Sequence, residues 1–201
     1  NSFCTLLETP MAAPVDAAIS PELLNAIGEN ADKLAALEDE HMKKLDAIAI
    51  PHQRARFKLL AARQPELDKL EGLWTAAIAA PDSPLKELLI QIDTKLCRAI
   101  TQLRMELEEP KPDYLVTKLI ITFRDNMFVH GGEVSLSMDR SKQVVSASGI
   151  KWKVPEKMRE GSIFGAFAGV QPGIDAEFIY EVFTGFEVLY GDPLVFANGD
   201  E

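Results

Sequence analysis

The sequence predicts an α+β protein in which one long helix precedes a four-stranded antiparallel sheet with covering helices. An apolar stripe at helical spacing follows residue 20, and four strand-like segments lie between residues 99 and 153. The connections between those segments are short, which favours an antiparallel meander. These observations indicate an ordered protein rather than a disordered one.

The long helix is predicted from its start signal and its apolar spacing. Ser20 can cap it, and Pro21 suits the first helical position, where a missing N–H costs nothing. Pro51 is expected to kink or locally break the helix, and helical composition resumes from His52. The stripe consists of Leu23, Leu24, Ile27, Ala31, Leu34, Leu37, His41, Leu45 and Ile48.

A helix over residues 21–62 would be about 63 Å long, which exceeds the width of a domain of this size. Its apolar stripe must therefore be covered, either by an identical helix or by a folded-back hairpin of the same chain. The first alternative predicts a homodimer whose interface contains Leu23, Ile27, Leu34, Leu37, His41, Leu45 and Ile48.

The remaining helices and strands are predicted from helix-breaking prolines and from the alternation of apolar and polar residues. Pro65 is expected to end the helical run, and short helices are expected over residues 67–74 and 85–96. Residues 163–167 and 177–183 are expected to be short helical pieces that cover one face of the sheet. The four predicted strands are residues 99–108, 115–124, 133–138 and 144–153.

Composition and charge limit the classes of function. The 201 residues are 47% hydrophobic and 26% charged, with a net charge of −10, so one or at most two domains and a basic partner are expected. Direct nucleic-acid binding is a poor first expectation, because phosphate affinity comes mainly from basic side chains. Both ends are acidic, with −5 over residues 1–32 and −8 over residues 160–201. The alternative is that this charge only keeps the protein soluble.

Patterns typical of catalytic and metal sites are absent from the sequence. His41, His52 and His130 are isolated, while Cys4 and Cys97 form no Cys-x-x-Cys pair, so we expect no metal, no cofactor and no enzymatic activity. No apolar run approaches the roughly 20 residues that cross a bilayer, and a basic secretion start is missing. The sequence therefore predicts a soluble intracellular protein without a membrane partner.

Several segments together resemble the nucleosome assembly protein family, and most closely its SET-like branch. They are the long lone helix, the Leu73-Trp74 step, the meander ending in Gly149-Ile150-Lys151-Trp152-Lys153, the run Ser162–Phe167, and Tyr190-Gly191-Asp192-Pro193-Leu194. The resemblance covers roughly Pro21 to Phe196. Two departures are that acid pairs expected near residues 91–95 are reduced to Asp93, and that Ala168–Pro172 replaces a polar, acidic turn.

The resemblance implies a headphone-shaped homodimer in which long helices pair antiparallel and two α+β "earmuff" domains flank an acidic cavity. It divides the chain into a flexible segment at residues 1–20, the dimerisation helix at 21–66 with a kink near 51, the earmuff domain at 67–196, and the start of an acidic tail at 197–201.

The same resemblance implies a histone chaperone that supports nucleosome assembly or histone transfer in nucleus and cytoplasm, without sequence-specific nucleic-acid binding. The alternative is a dimeric adaptor for non-histone partners, which regulates a phosphatase or a histone-modifying enzyme. The histone-binding residues are expected to be Asp175, Glu177, Glu181, Glu187 and Asp192.

Overall fold

The computed structural model describes residues 20–198. Apart from Ser20, the expected flexible segment lies outside these residues, as do residues 199–201 of the expected acidic tail. The described residues form two compact units that divide within the first helix, one ending at Ile48 and the other beginning at Ala49.

Helix α1 spans Pro21–Leu67, a length of 47 residues. Pro65, where we expected the helical run to end, lies inside this helix, and Pro51 does not break it. The kink expected near Pro51 stays a prediction. Each proline removes one backbone donor, and the buried side chains of Phe57, Leu60 and Leu67 stabilise the helical turns that follow Pro51. Ser20 occupies the expected capping position, where its Oγ accepts a hydrogen bond from the N–H of Leu23 (3.3 Å).

Four antiparallel strands form one sheet in chain order, which confirms the predicted meander. The fourth predicted strand is too long, because β4 ends at Ala147. Gly149 adopts a left-handed φ of 69°, and its N–H donates to the carbonyl of Phe167 (2.6 Å), so the chain leaves the ladder there. The strands are β1 Ile100–Lys111, β2 Tyr114–Phe123, β3 Gly132–Asp139 and β4 Val144–Ala147.

The short helices differ from their predicted bounds. The segment expected at 67–74 becomes a helix that starts only at Leu73, after the left-handed Gly72. The segment expected at 85–96 is split by extended backbone at Leu89 and Ile90. The helices are α2 Leu73–Ala79, α3 Gln91–Cys97, α4 Glu156–Arg159, α5 Ala176–Gly191 and α6 Pro193–Asn198, with 3₁₀ turns at Lys86–Leu88 and Ile163–Ala168.

Helix α5 has 16 residues rather than the seven expected, because its buried spacing continues past Phe183. Phe186 lies between the two aromatic rings of the 3₁₀ turn, 6.4 Å from Phe164 and 6.3 Å from Phe167 between ring centroids. Phe164 in turn meets Phe123 of β2 edge to face at 5.3 Å. This chain of rings places α5 over one face of the sheet.

Asp93 is fully buried at the start of α3, so it is not available to a partner. Its carboxylate accepts hydrogen bonds from the hydroxyl of Ser162, the N–H of Ile163 (3.2 Å) and the N–H of Ile90 (3.0 Å). Burial raises the pKa of Asp93, while these three hydrogen bonds act in the opposite direction. The carboxylate therefore joins α3 to the 3₁₀ turn beneath α5.

Replacing Asp93→Ala is expected to lower the free energy of unfolding by about 2 to 4 kcal/mol, because two buried donors and one partly buried donor lose their acceptor. Urea unfolding followed by circular dichroism measures this loss. Asp82→Ala is the matched control, because Asp82 is exposed. Equal effects of the two substitutions would contradict a structural role for Asp93.

Gly185 allows α5 to approach the segment that precedes the first 3₁₀ turn. A Cβ at this position would lie 2.4 Å from Cδ2 and 2.9 Å from Cγ of Leu85. Leu85 is fully buried, and the close packing of protein interiors opposes its displacement. The absence of a side chain at Gly185 therefore sets the distance between the two segments.

Gly185→Ala is expected to destabilise the protein by about 1 to 2 kcal/mol, because overpacking against Leu85 exceeds the gain in helix propensity. Gly28→Ala in α1 is the control, since nothing lies within 4 Å of a Cβ there and only the favourable propensity change remains. Thermal unfolding of both variants tests this, and a rise in Tm for Gly185→Ala would contradict the packing argument.

Candidate functional site

The five carboxylates expected to face a partner all lie on α5 or at its ends, but they differ in their surroundings. Asp175 precedes the helix and caps it, since its Oδ1 accepts a hydrogen bond from the N–H of Phe178 (2.8 Å). Its side chain remains exposed, so it adds negative charge at the surface while it also stabilises the helix start.

Glu177 and Glu181 are the two expected residues that the structure brings together. They are four residues apart and therefore lie one turn from each other on the same side of α5. Both are exposed, and within residues 20–198 neither carboxylate has an ion-pair or hydrogen-bond partner. Their charge is available to a cation from outside the chain.

Glu187 and Asp192 lie towards the other end of the helix. Glu187 is paired with Arg56 of α1 (Nη1–Oε1 2.8 Å), and both side chains are about one-third exposed. Arg56 offsets much of the charge of Glu187, which makes this residue a link between two helices. Asp192 is exposed and lies about 22 Å along the helix axis from Glu177, so the five carboxylates do not form one compact cluster.

A groove of about 360 Å³ lies beside Glu181, and it contains an acidic residue that the sequence reasoning missed. Glu87 enters the groove from the 3₁₀ turn Lys86–Leu88, on the side opposite α5. The sequence predicts a single helix over residues 85–96, and such a helix gives no reason to place Glu87 near Glu181. The other lining residues are Pro84, Leu88, Tyr180, Thr184, Gly185 and Val188.

Most of the exposed lining of this groove is apolar, and Val188 is 46% exposed. The arrangement combines two carboxylates with an aliphatic floor. Such a site suits a ligand segment that carries both a cation and an apolar side chain, because each part of the segment finds its complement.

The neighbouring depression is mixed in charge. It has a volume of about 260 Å³ and is bordered by the cations Arg140 and Lys142 and by the carboxylates Asp139 and Glu187. The Lys142 ammonium lies 4.4 Å from the centre of the Tyr180 ring and lowers the pKa of that phenol. On this side of Tyr180 cations accompany the carboxylates, whereas the described residues that line the groove beside Glu181 include Glu87 and Glu181 and no Lys or Arg.

The predicted interface residues of α1 are all exposed in the chain. The exposed fraction ranges from 47% at Leu45 to 73% at Ile48 among the aliphatic members of the stripe. A shallow hollow of about 430 Å³ lies along the helix between Leu37 and Ile48, and its polar border contains the ion pair Glu40–Lys44 (2.8 Å). The stripe is therefore an exposed apolar surface within the described chain.

The described part of the chain offers little for covalent or metal chemistry. Residues 20–198 contain no group of three His, Cys, Asp or Glu placed to hold a metal ion. Burial raises the pKa of the Cys97 thiol to about 12, which keeps it protonated. His130 is exposed, with Nδ1 3.9 Å from Oδ1 of Asp125. Among the helices of this part, none has the length and apolar character needed to cross a membrane.

The sequence matches no protein-family model and no curated protein. Solved structures are similar, however. Nucleosome assembly protein 1 from Plasmodium knowlesi aligns with 14% identity and a TM-score of 0.62, over 90% of this chain and 96% of that chain.

Two further structures extend the comparison. Nucleosome assembly protein S from Plasmodium falciparum has 15% identity and a TM-score of 0.54, over 87% of this chain and 99% of that one. The Vps75 histone chaperone has 14% identity and a TM-score of 0.57, and the alignment covers 88% of this chain and 97% of that one. With its long N-terminal helix and its four-stranded antiparallel sheet under covering helices, this chain has the fold of the nucleosome assembly proteins.

Proposed function

We propose that this chain is a member of the nucleosome assembly protein family and acts as a histone chaperone of the nucleus and cytoplasm, without catalysis. The observation that supports this most directly is a pair of exposed carboxylates on α5, Glu177 and Glu181, which have no partner within residues 20–198. In a fold shared with the Vps75 histone chaperone, unpaired carboxylates on an ordered helix suit a strongly basic protein ligand.

The proposed mechanism is reversible screening of histone charge. Exposed ion pairs are worth about 0 to 1 kcal/mol each, so several of them bind a basic protein without trapping it. DNA carries a denser negative charge and can then take the histone from the chaperone. Chemistry on the ligand is not needed for this exchange.

The groove beside Glu181 adds apolar contact and shape complementarity to this electrostatic attraction. Glu87 and Glu181 can each receive a Lys or Arg side chain, while Leu88 and Val188 contact an aliphatic residue between the cations. Because of this apolar contact, a ligand segment with an aliphatic residue between its cations should bind more tightly than a segment that carries positive charge alone. We therefore propose that the histone-facing surface consists of Asp175, Glu177, Glu181 and Asp192 together with Glu87, and that Glu187 contributes mainly through its pairing with Arg56.

We further propose that two chains pair through α1. Seven residues on one side of this helix are exposed: Leu23, Ile27, Leu34, Leu37, His41, Leu45 and Ile48. Burying one aliphatic side chain between two chains stabilises the pair by about 1.5 to 3 kcal/mol. An identical helix supplies a complementary stripe, as a twofold interface requires. Pairing also presents two acidic surfaces to one ligand, which increases the overall affinity.

Reversing three charges together, Glu177→Lys, Glu181→Lys and Asp192→Lys, is expected to weaken core-histone binding about tenfold or more, because three attractive contacts become repulsive. Titration of fluorescent histones measures the affinity. The matched control reverses Glu71, Glu156 and Glu160, which are exposed and unpaired elsewhere in the described chain. If both variants lost the same amount of histone affinity, the effect would come from net charge alone, which would contradict the assigned surface.

Leu37→Glu with Leu45→Glu is expected to dissociate the dimer, because two carboxylates would enter the apolar interface. Light scattering should then give the 22.2 kDa mass of one chain. Ala36→Glu with Ala47→Glu is the control, since these exposed alanines lie on the opposite side of α1. A mass of twice 22.2 kDa for the leucine variant would contradict pairing through the stripe.

A further inference from the structure

A second charged surface, basic rather than acidic, lies at the end of the sheet where β1 begins and β2 ends. Arg98 precedes β1 and Arg124 follows β2, whose terminal residues Ile100 and Phe123 are paired. We call this surface the basic end and define it as residues 95–98, 124–130 and 151–160. These residues include seven Lys or Arg against three Asp or Glu, although the whole chain carries −10.

Direct contacts bring the three segments together. The N–H of Arg124 donates to the carbonyl of Ala99 (2.8 Å), and its Nη2 donates to the carbonyl of Arg98 (3.1 Å). The N–H of Lys153 donates to the carbonyl of Phe128 (2.8 Å), while its Nζ pairs with Asp125 (2.7 Å). The residues therefore form one continuous surface rather than a scattered set of charges.

Aromatic rings hold further cations of the basic end in place. The Lys95 ammonium lies 5.8 Å from the centre of the Phe128 ring, and the Arg159 guanidinium lies 5.7 Å from that of Trp152. Trp152 is itself paired with Val129 through an isolated β-bridge, which ties α4 to the 124–130 segment. Ordered cations lose less conformational entropy when they bind an anion.

Two strongly exposed methionines lie within the same surface. Met127 is 76% exposed and Met158 is 52% exposed, one in the segment after β2 and the other in α4. Methionine is flexible and polarizable, and it is common at surfaces that accept varied apolar side chains. The basic end thus offers both positive charge and adaptable apolar contact.

We propose that the basic end binds an acidic peptide segment that carries apolar side chains. This is a partner opposite in charge to the histones, and the proposal does not depend on α5. A nucleic-acid backbone fits less well, because phosphates gain nothing from Met127 and Met158 and because the net charge of −10 repels a dense polyanion. A short peptide supplies the negative charge and fills the apolar positions.

The test uses the full chain and fluorescence anisotropy with three labelled probes. The first is a synthetic peptide in which Asp and Glu alternate with Leu, and the second has Ser in place of each Leu. The third is a short duplex DNA. The proposal predicts that the leucine-containing peptide binds most tightly and that the serine peptide binds several-fold more weakly.

Three double variants locate the binding site. Lys151→Glu with Lys157→Glu reverses two exposed charges whose side chains have no partner among the described residues. Lys58→Glu with Lys111→Glu makes the same charge change elsewhere; Lys111 lies at the far end of β1, about 40 Å from its start. Only the first pair should weaken peptide binding, by about tenfold. Met127→Ser with Met158→Ser should abolish the preference for leucine over serine.

Each other outcome overturns the proposal. Equal weakening by both charge pairs would show a general charge effect without a site. Tighter binding of duplex DNA, insensitive to the methionine substitutions, would identify the basic end as a nucleic-acid surface instead. Failure of the folded wild-type chain to bind the leucine-containing peptide would exclude the proposed partner.

Discussion

The packing of α5 against the sheet determines where the acidic residues of this helix lie. Phe186 packs between Phe164 and Phe167, and Phe164 contacts Phe123 of β2. Because this aromatic contact buries one side of α5, its acidic residues must lie on the other side or at its ends. The buried carboxylate of Asp93 supports the same region by holding the 3₁₀ turn beneath the helix. The acidic surface is thus a consequence of the core.

The sequence predicted the sheet and the long helix well, because both have strong periodic patterns. It failed where one backbone position or one distant contact decides the outcome. Gly149 ends β4 early through a left-handed φ, and α1 continues past Pro65, where an end was expected, to the buried Leu67. Spacing alone also could not show that Asp93 is buried, that Glu187 pairs with Arg56, or that Glu87 joins Glu181 in one groove.

Acidic residues of α5 and basic residues at one end of the sheet lie on different surfaces of the described chain, although the net charge of the whole sequence is −10. Carboxylates without partners occur on α5, whereas Lys and Arg are concentrated where β1 begins and β2 ends. In the proposed account these two surfaces receive ligands of opposite charge and need not compete for the same atoms. A chaperone built this way could hold a histone while an acidic partner is bound elsewhere on the same domain.

The most direct test of this account is a titration of labelled core histones with the full chain at about physiological ionic strength, where long-range attraction is screened. Lysozyme is the basic, non-histone comparison. The account predicts saturable histone binding that is much tighter than lysozyme binding, because the groove beside Glu181 selects for more than charge. Equal affinity for both proteins, or no histone binding, would contradict a histone-selective surface on the folded chain.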